Sequence, residues 1–278
     1  MAGRLYGGLR RSVAVVAVVV CTVALLTGPA ETGKVVRRPF RVLQMNLCDS
    51  GIASCYTGRS VTEAAMVIRA GAPDVVTLNE VCQGDVGALA RTMTDVHPSG
   101  TVSAFKAVAD RRTGGATRCR NGQPYGIGLL VHLSPDHGHT TYGGIYPIQD
   151  TGDPEERAWL CVNAIADFYA CTTHLASTSG TVALAQCGYL LGTAIPSVRG
   201  QGGYEPTVLG GDLNLRHGGS PDLRSCVPSG YLRADDGGVQ QIMATTEFTV
   251  SSSISIDMNG TTDHPSLLVT LAVARGPR

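Results

Sequence analysis

Polar residues of reactive type interrupt apolar runs at five separate places. They are Asn46 in "VLQMNL", Glu80 in "PDVVTLNEVC", His174 in "CTTHLAS", Asp212 with Asn214 in "TVLGGDLNLRHGG", and Asp263 with His264 in "TTDHPSLLV". Hydrolysis of a phosphodiester needs a metal to offset charge, a group to orient or deprotonate water, and donors for the phosphoryl oxygens. Magnesium takes one or two carboxylates together with water and substrate oxygens, a role that suits Glu80. Asp263 beside His264 favours the imidazolium form, a donor matched to a developing negative charge. These residue types allow equally that His264 takes a proton from water.

Each position also has a plain structural explanation. A histidine in a strand is commonly a hydrogen-bonded core residue, a glutamate after a strand is commonly solvated, and "TDHP" is a common turn. Asn46 could be a satisfied turn residue beside a Cys48 disulfide. Taken together in one order, these explanations would all have to coincide.

Positioning such residues requires elements that end where they stand. Val208, Gly210, Asp212 and Asn214 share one face of an extended chain, because successive side chains alternate. Short apolar runs between glycine-rich turns predict strands at 40–47, 74–79, 127–132, 159–166, 168–174, 206–213, 239–245 and 265–273. "VVTL" and "GLLV" run apolar without alternation and predict strands covered on both faces. "SVTEAAMVIRAGAPDVV" predicts a helix opened by a Ser60/Glu63 capping box and stopped by Gly71 and Pro73. "GDVGALARTMTDV" and "TVALAQCGYLLGTAI" predict two more. The pattern implies an α/β or α+β body of two packed sheets with helices outside. The four arginines of "RRTGGATRCRNG" read as a solvated surface loop in preference to a phosphate site.

The chain of 278 residues suits one large domain. Arg4, Arg10 and Arg11 precede an apolar run from Val13 to Leu26 and then the small residues Gly28 and Ala30. That order predicts a signal peptide over 1–30 and a secreted protein, with 31–278 as one domain, which the resemblance named below makes catalytic. The apolar run is short for a bilayer span, so no stable membrane anchor is expected. Without the leader, 19 basic residues face 22 acidic ones, and no broad basic groove is evident from the totals. Eight cysteines then remain, an even count that predicts disulfides, with Cys48–Cys55 and Cys161–Cys171 as the local candidates. Zinc is disfavoured because neither C-x-x-C nor H-x-x-x-H spacing occurs.

The ordered series from Asn46 to His264 resembles the endonuclease/exonuclease/phosphatase superfamily, which includes pancreatic deoxyribonuclease. The resemblance covers essentially the whole mature chain. It implies a four-layered α/β sandwich with two central, mainly antiparallel sheets flanked by helices, the motifs lying where strands end at one rim. It implies a divalent cation, Mg2+ or else Mn2+ or Ca2+, held by Glu80 with Asn46 supporting it directly or through water. It implies that Asp212 orients or activates water while Asn214 and His174 donate to phosphoryl oxygens, and that Asp263 and His264 complete the catalytic set. Tyr125 in "QPYGIGLL" and Arg157 in "EERAW" are the substrate-binding residues the resemblance suggests. One departure stands out: where relatives carry "IDYIF", with an Asp that helps to hold a catalytic histidine, this chain has "VQQIMAT" and places Gln240. Gln keeps a hydrogen bond and loses the charge. Asp257 is the alternative, but it stands only six positions before Asp263.

The function expected is that of a secreted, divalent-metal-dependent phosphodiesterase, a monomer acting on nucleic acid. A lipid phosphodiesterase of sphingomyelinase type is the alternative, disfavoured because the chain's one Trp, Trp159, falls in a core strand. A non-catalytic binding module on the same fold is the third reading, which Gln240 keeps open.

Overall fold

The structure, a computed structural model, describes residues 38–134 and 136–273 together with Met1 and Gly3. The leader expected at 1–30 otherwise lies outside the described residues. Along the chain run β1 (Arg38–Asn46), α1 (Ser60–Gly71), β2 (Val75–Cys82), α2 (Gln83–Val96), β3 (Thr101–Ala107), the two-residue β4 (Ala109–Asp110) and β5 (Gly115–Ala116), β6 (Tyr125–His132) and β7 (His139–Ile145). They continue as β8 (Ala158–Ala164), β9 (Phe168–His174), α3 (Gly180–Tyr189), a π turn (Leu190–Ala194), α4 (Ile195–Gly202), β10 (Thr207–Asp212), β11 (Tyr231–Asp235), β12 (Gln240–Thr245), β13 (Phe248–Ile256) and β14 (Ser266–Val273).

Two six-stranded sheets result, ordered β13-β14-β1-β2-β6-β3 and β11-β12-β10-β9-β8-β7. Every pairing is antiparallel except β1 with β2 and β9 with β10. Strand alternation sorts side chains into three buried layers. Val42, Val75, Leu129 and Val269 of the first sheet meet Leu160, Ala170, Val208 and Ile242 of the second. On the outer face of the first sheet, Leu43, Met45, Val76 and Leu78 pack on Ala64, Val67, Ile68 and Leu89 of α1 and α2. On the outer face of the second, Cys161, Tyr169, Leu209 and Met243 pack on Ala183, Cys187, Leu190 and Val198. Helices, sheet, sheet and helices make the four layers that the resemblance implied.

The inner layer changes character along its length. Val42, Val75 and Val208 face inward, and the residues two and four positions on are Gln44 and Asn46, Thr77 and Asn79, and Gly210 and Asp212. The core is therefore apolar at one end and polar where these strands finish. A Cβ at Gly210 would collide with the Thr77 side chain, so glycine there lets the sheets approach at the polar end.

All eight interior strands coincide with the predicted ones, within a few residues. Besides the two-residue β4 and β5, the strands absent from the prediction, β3, β7, β11 and β13, are the four edges of the large sheets. Their residues are mostly half-buried or exposed, so no apolar run marks them. The first helix starts and stops as expected, with Ala72 in the left-handed conformation closing it, but its capping box does not form. Ser60 is the first helical residue, Arg59 occupies the N-cap without a side-chain bond, and Glu63 instead accepts from Asn259 Nδ2 at 2.7 Å. The eight cysteines from Cys48 to Cys226 all pair, as Cys48–Cys55, Cys82–Cys119, Cys161–Cys171 and Cys187–Cys226.

Candidate active site

Parallel neighbours deliver their C-terminal ends to the same edge of a sheet. The pair β1/β2 brings Asn46 opposite Asn79, and the pair β9/β10 brings Asp212 opposite His174. Because Asn79 faces inward, a regular strand would aim Glu80 outward at the helices. Instead the β2–β6 register shifts between Leu78 and Val81, and Glu80 takes a φ of 53°. This bulge turns its carboxylate back to the rim, where Glu80 Oε1 accepts from Asn46 Nδ2 at 2.9 Å.

Asp212 ends β10 almost fully buried. Its Oδ2 accepts from Gln240 Nε2 at 2.7 Å and from Asn46 Nδ2 at 3.1 Å, and its Oδ1 accepts from the Asn214 N–H at 3.0 Å. His264 Nε2 lies 3.4 Å from Oδ2, with Asp263 Oδ1 3.8 Å from the same nitrogen. Asn214 is past the strand, at a φ of 50°, so it does not continue the face shared by Val208 and Asp212. One of its amide hydrogens goes to Leu175 O at 3.0 Å. Asn46 directs its amide nitrogen at both carboxylates while its Oδ1 accepts from the Cys48 N–H at 3.1 Å. It therefore orients Glu80 and Asp212 through its nitrogen.

The other wall is held by charge. Arg157 Nη1 donates to Glu155 Oε1 at 3.1 Å and to His174 Nδ1 at 2.7 Å, and Nη2 donates to Asp153 Oδ2 at 2.6 Å and to Ser177 Oγ at 3.2 Å. Tyr125 OH donates to Glu155 Oε2 at 3.4 Å. The two residues expected to bind substrate thus both reach Glu155, and Arg157, only 3 % exposed, is held among protein acceptors.

Burial lifts the Glu80 carboxyl above its ordinary range, with the Asn46 bond opposing and the Asp212 and Asp263 charges reinforcing. Burial likewise lifts Asp212, against His264 and the bonds from Asn46, Asn214 and Gln240. It pushes Glu155 up to about 7 despite Arg157. His174 is held well below its usual value by burial and then by the charges of Arg157 and His264, so its ring is neutral.

A cleft of about 650 Å³ opens over these groups, lined by Glu80, Tyr125, Glu155, Arg157, His174, Asp212, Asn214, Asp263 and His264 among others. Six carboxylates and three arginines line it, a surplus of acidic groups that a divalent cation would offset. Among the described residues, two groups bring three potential ligand atoms within 4.8 Å: Cys48, Cys55 and Glu80, and Asp49, Cys82 and Asp85. All three of these cysteines are in disulfides and offer no thiolate. What remains is hard carboxylate oxygen, the donor chemistry of Mg2+, Mn2+ or Ca2+.

No protein-family model and no curated protein matches the sequence. Solved structures do match the fold. An endonuclease/exonuclease/phosphatase protein from Beutenbergia cavernae aligns at 20% identity over 87% of this chain and 73% of that one, with a TM-score of 0.62. This chain has the endonuclease/exonuclease/phosphatase fold. The human Nocturnin catalytic domain with bound sulfate shares that fold at 16% identity, over 84% of this chain and 93% of its own, with a TM-score of 0.61. ANGEL2, a 2',3'-cyclic phosphatase solved with adenosine-2',3'-vanadate, does so at 14% identity, over 86% and 97%, with a TM-score of 0.59.

The endonuclease/exonuclease/phosphatase fold accounts for the rim position of the strand-end residues, and the chain adds members that sequence reading passed over. Gln44 Nε2 donates to Asn79 Oδ1 at 2.7 Å and to Gln240 Oε1 at 2.9 Å, while Gln44 Oε1 accepts from Thr77 Oγ1 at 2.5 Å. Asn79 Oδ1 also accepts from the Asp212 N–H at 2.7 Å. Gln240 accordingly braces Asp212 rather than a histidine, which corrects the role expected for its position. The signal was present in the sequence: Gln44 and Asn46, like Thr77 and Asn79, keep the two-residue phase of Val42 and Val75. Glu155 and Asp153 carried no such mark, because they lie in the loop before β8.

Proposed function

We propose that the protein is an exported, divalent-cation-dependent phosphodiesterase whose substrate is nucleic acid, with residues 1–30 a removable leader and 31–278 one monomeric catalytic domain. The observation that carries this reading is the Asp212 carboxylate, oriented by neutral amides on two sheets and set beside Glu80, His174 and His264 at the floor of one cleft. Glu80 would hold the cation. A divalent ion there offsets the charge of a bound phosphate and of the carboxylates around it. Asp212 orients and deprotonates the attacking water, which the donors around it favour by keeping both its oxygens as acceptors. His174 Nε2 and the second amide hydrogen of Asn214 donate to phosphoryl oxygens. His264 Nε2, beside both Asp212 and Asp263, supplies a further donor where negative charge grows.

Ile52, 72 % exposed at the rim of the cleft, is the feature that a lipid substrate would favour. The test is therefore a panel of bis-p-nitrophenyl phosphate, plasmid DNA, RNA and sphingomyelin, each with Mg2+ and with EDTA. Cation-dependent cleavage of plasmid or RNA supports the reading. Turnover that survives EDTA removes the cation, turnover of sphingomyelin alone reassigns the substrate, and no turnover leaves a binding module.

A further inference from the structure

We propose that Arg157 is a positioning residue that fixes the tautomer of His174, holding the imidazole proton on Nε2 and aiming it into the cleft. A guanidinium donates hydrogen bonds and accepts none. Its Nη1 stands 2.7 Å from His174 Nδ1, so Nδ1 must present its lone pair and the ring hydrogen must sit on Nε2. The competing tautomer would donate from Nδ1 to Glu155, but Glu155 Oε1 is 3.8 Å from Nδ1, outside hydrogen-bond range. Both side chains are buried: His174 is 4 % exposed and Arg157 is 3 %.

The outer end of the guanidinium is fully engaged. Its four Nη hydrogens go to His174, Glu155, Asp153 and Ser177. Its Nε is buried and has no partner among the described residues. Glu155 and Asp153 compensate its charge and fix its plane, so the chain of contacts runs from two carboxylates through Arg157 to His174. The outcome is a neutral donor at fixed orientation, the kind of group that stabilises phosphoryl charge with no reorganisation during the reaction.

Two-bond 15N–1H correlation of the imidazole, recorded on the metal-free protein and assigned by loss of the signal in His174→Gln, reads the tautomer directly. The wild type should show a pyrrole-type Nε2 and a pyridine-type Nδ1, and Arg157→Met should move population toward the Nδ1–H form. A wild-type ring protonated on Nδ1 or on both nitrogens at neutral pH overturns the proposal, as does an unchanged pattern in Arg157→Met. If that variant does not fold, the wild-type spectrum alone still decides. The catalytic consequence rests on the phosphodiesterase reading: Arg157→Met should lower kcat by about 10–100-fold with KM little changed. That factor should vanish in a His174→Gln background, whereas independent, multiplying losses would mean that Arg157 touches substrate itself. Absence of any wild-type turnover would sink the phosphodiesterase reading while leaving the spectroscopic answer intact.

Discussion

Asp212 and Glu155 line the same cleft and are held by opposite means. Around Asp212 the donors are the amides of Asn46 and Gln240 and a backbone N–H. Around Glu155 they are the Arg157 guanidinium and the Tyr125 hydroxyl. An amide orients a carboxylate without cancelling its charge, whereas an arginine does both. The amide-held half therefore keeps negative charge in reserve for a cation, and the arginine-held half is already compensated. On the proposed function, chemistry belongs to the first and rigidity to the second.

The largest expected effect tests the first half. Asp212→Asn keeps the shape and removes the charge, so turnover of bis-p-nitrophenyl phosphate should fall by about 10³-fold, while thermal melting moves by a few degrees at most. A large fall in Tm with modest loss of rate would reverse the assignment and make Asp212 structural. Next comes the second half. Arg157→Ala removes a buried guanidinium and leaves Asp153 and Glu155, both half-buried, without their cation, and urea unfolding should register a loss of about 3–5 kcal/mol. Gln240→Leu removes one neutral donor from a network in which Gln44 must then find another partner, and should cost about 1–3 kcal/mol in the same assay. If the two losses were equal, the distinction between amide and ion-pair walls would carry no energetic content.

How far this arrangement was legible in the sequence follows from the same physics. Interior strands declare themselves because both faces are buried, so "VVTL" and "GLLV" run mostly apolar without a solvent-facing alternation. Edge strands such as "FTVSSSISI" face solvent along most of their length and look like loops. Asn46, Asp212 and His174 were visible as polar ends of apolar runs. Glu80 was visible too, but not the bulge that aims it, since a left-handed backbone at a glutamate has no sequence mark. The partners of Arg157 were hidden because they depend on which loop folds over β8, a tertiary fact that local pattern does not encode.

The smallest effect separates the two halves by pH. Glu155 has its folded value raised to about 7 by burial, and Glu80 and Asp212 are raised in the same direction. Between the ordinary carboxylate range and those raised values the native state binds more protons than the unfolded chain, so stability is present at low pH and is lost as pH rises. The Tm of the EDTA-treated protein should accordingly fall by a few degrees between about pH 5 and pH 7.5, given the carboxylate ranges of the unfolded chain. A cation binds only the ionised form of the amide-held carboxylates, and its binding to the folded state opposes this loss. Mg2+ should therefore flatten the decline, and Glu80→Gln should abolish that flattening. Glu155→Gln should reduce the decline in EDTA yet leave the response to Mg2+ in place, because its carboxylate is answered by Arg157. A Mg2+ response that disappears with Glu155 and survives without Glu80 would put the cation on the arginine side and invert the division of labour.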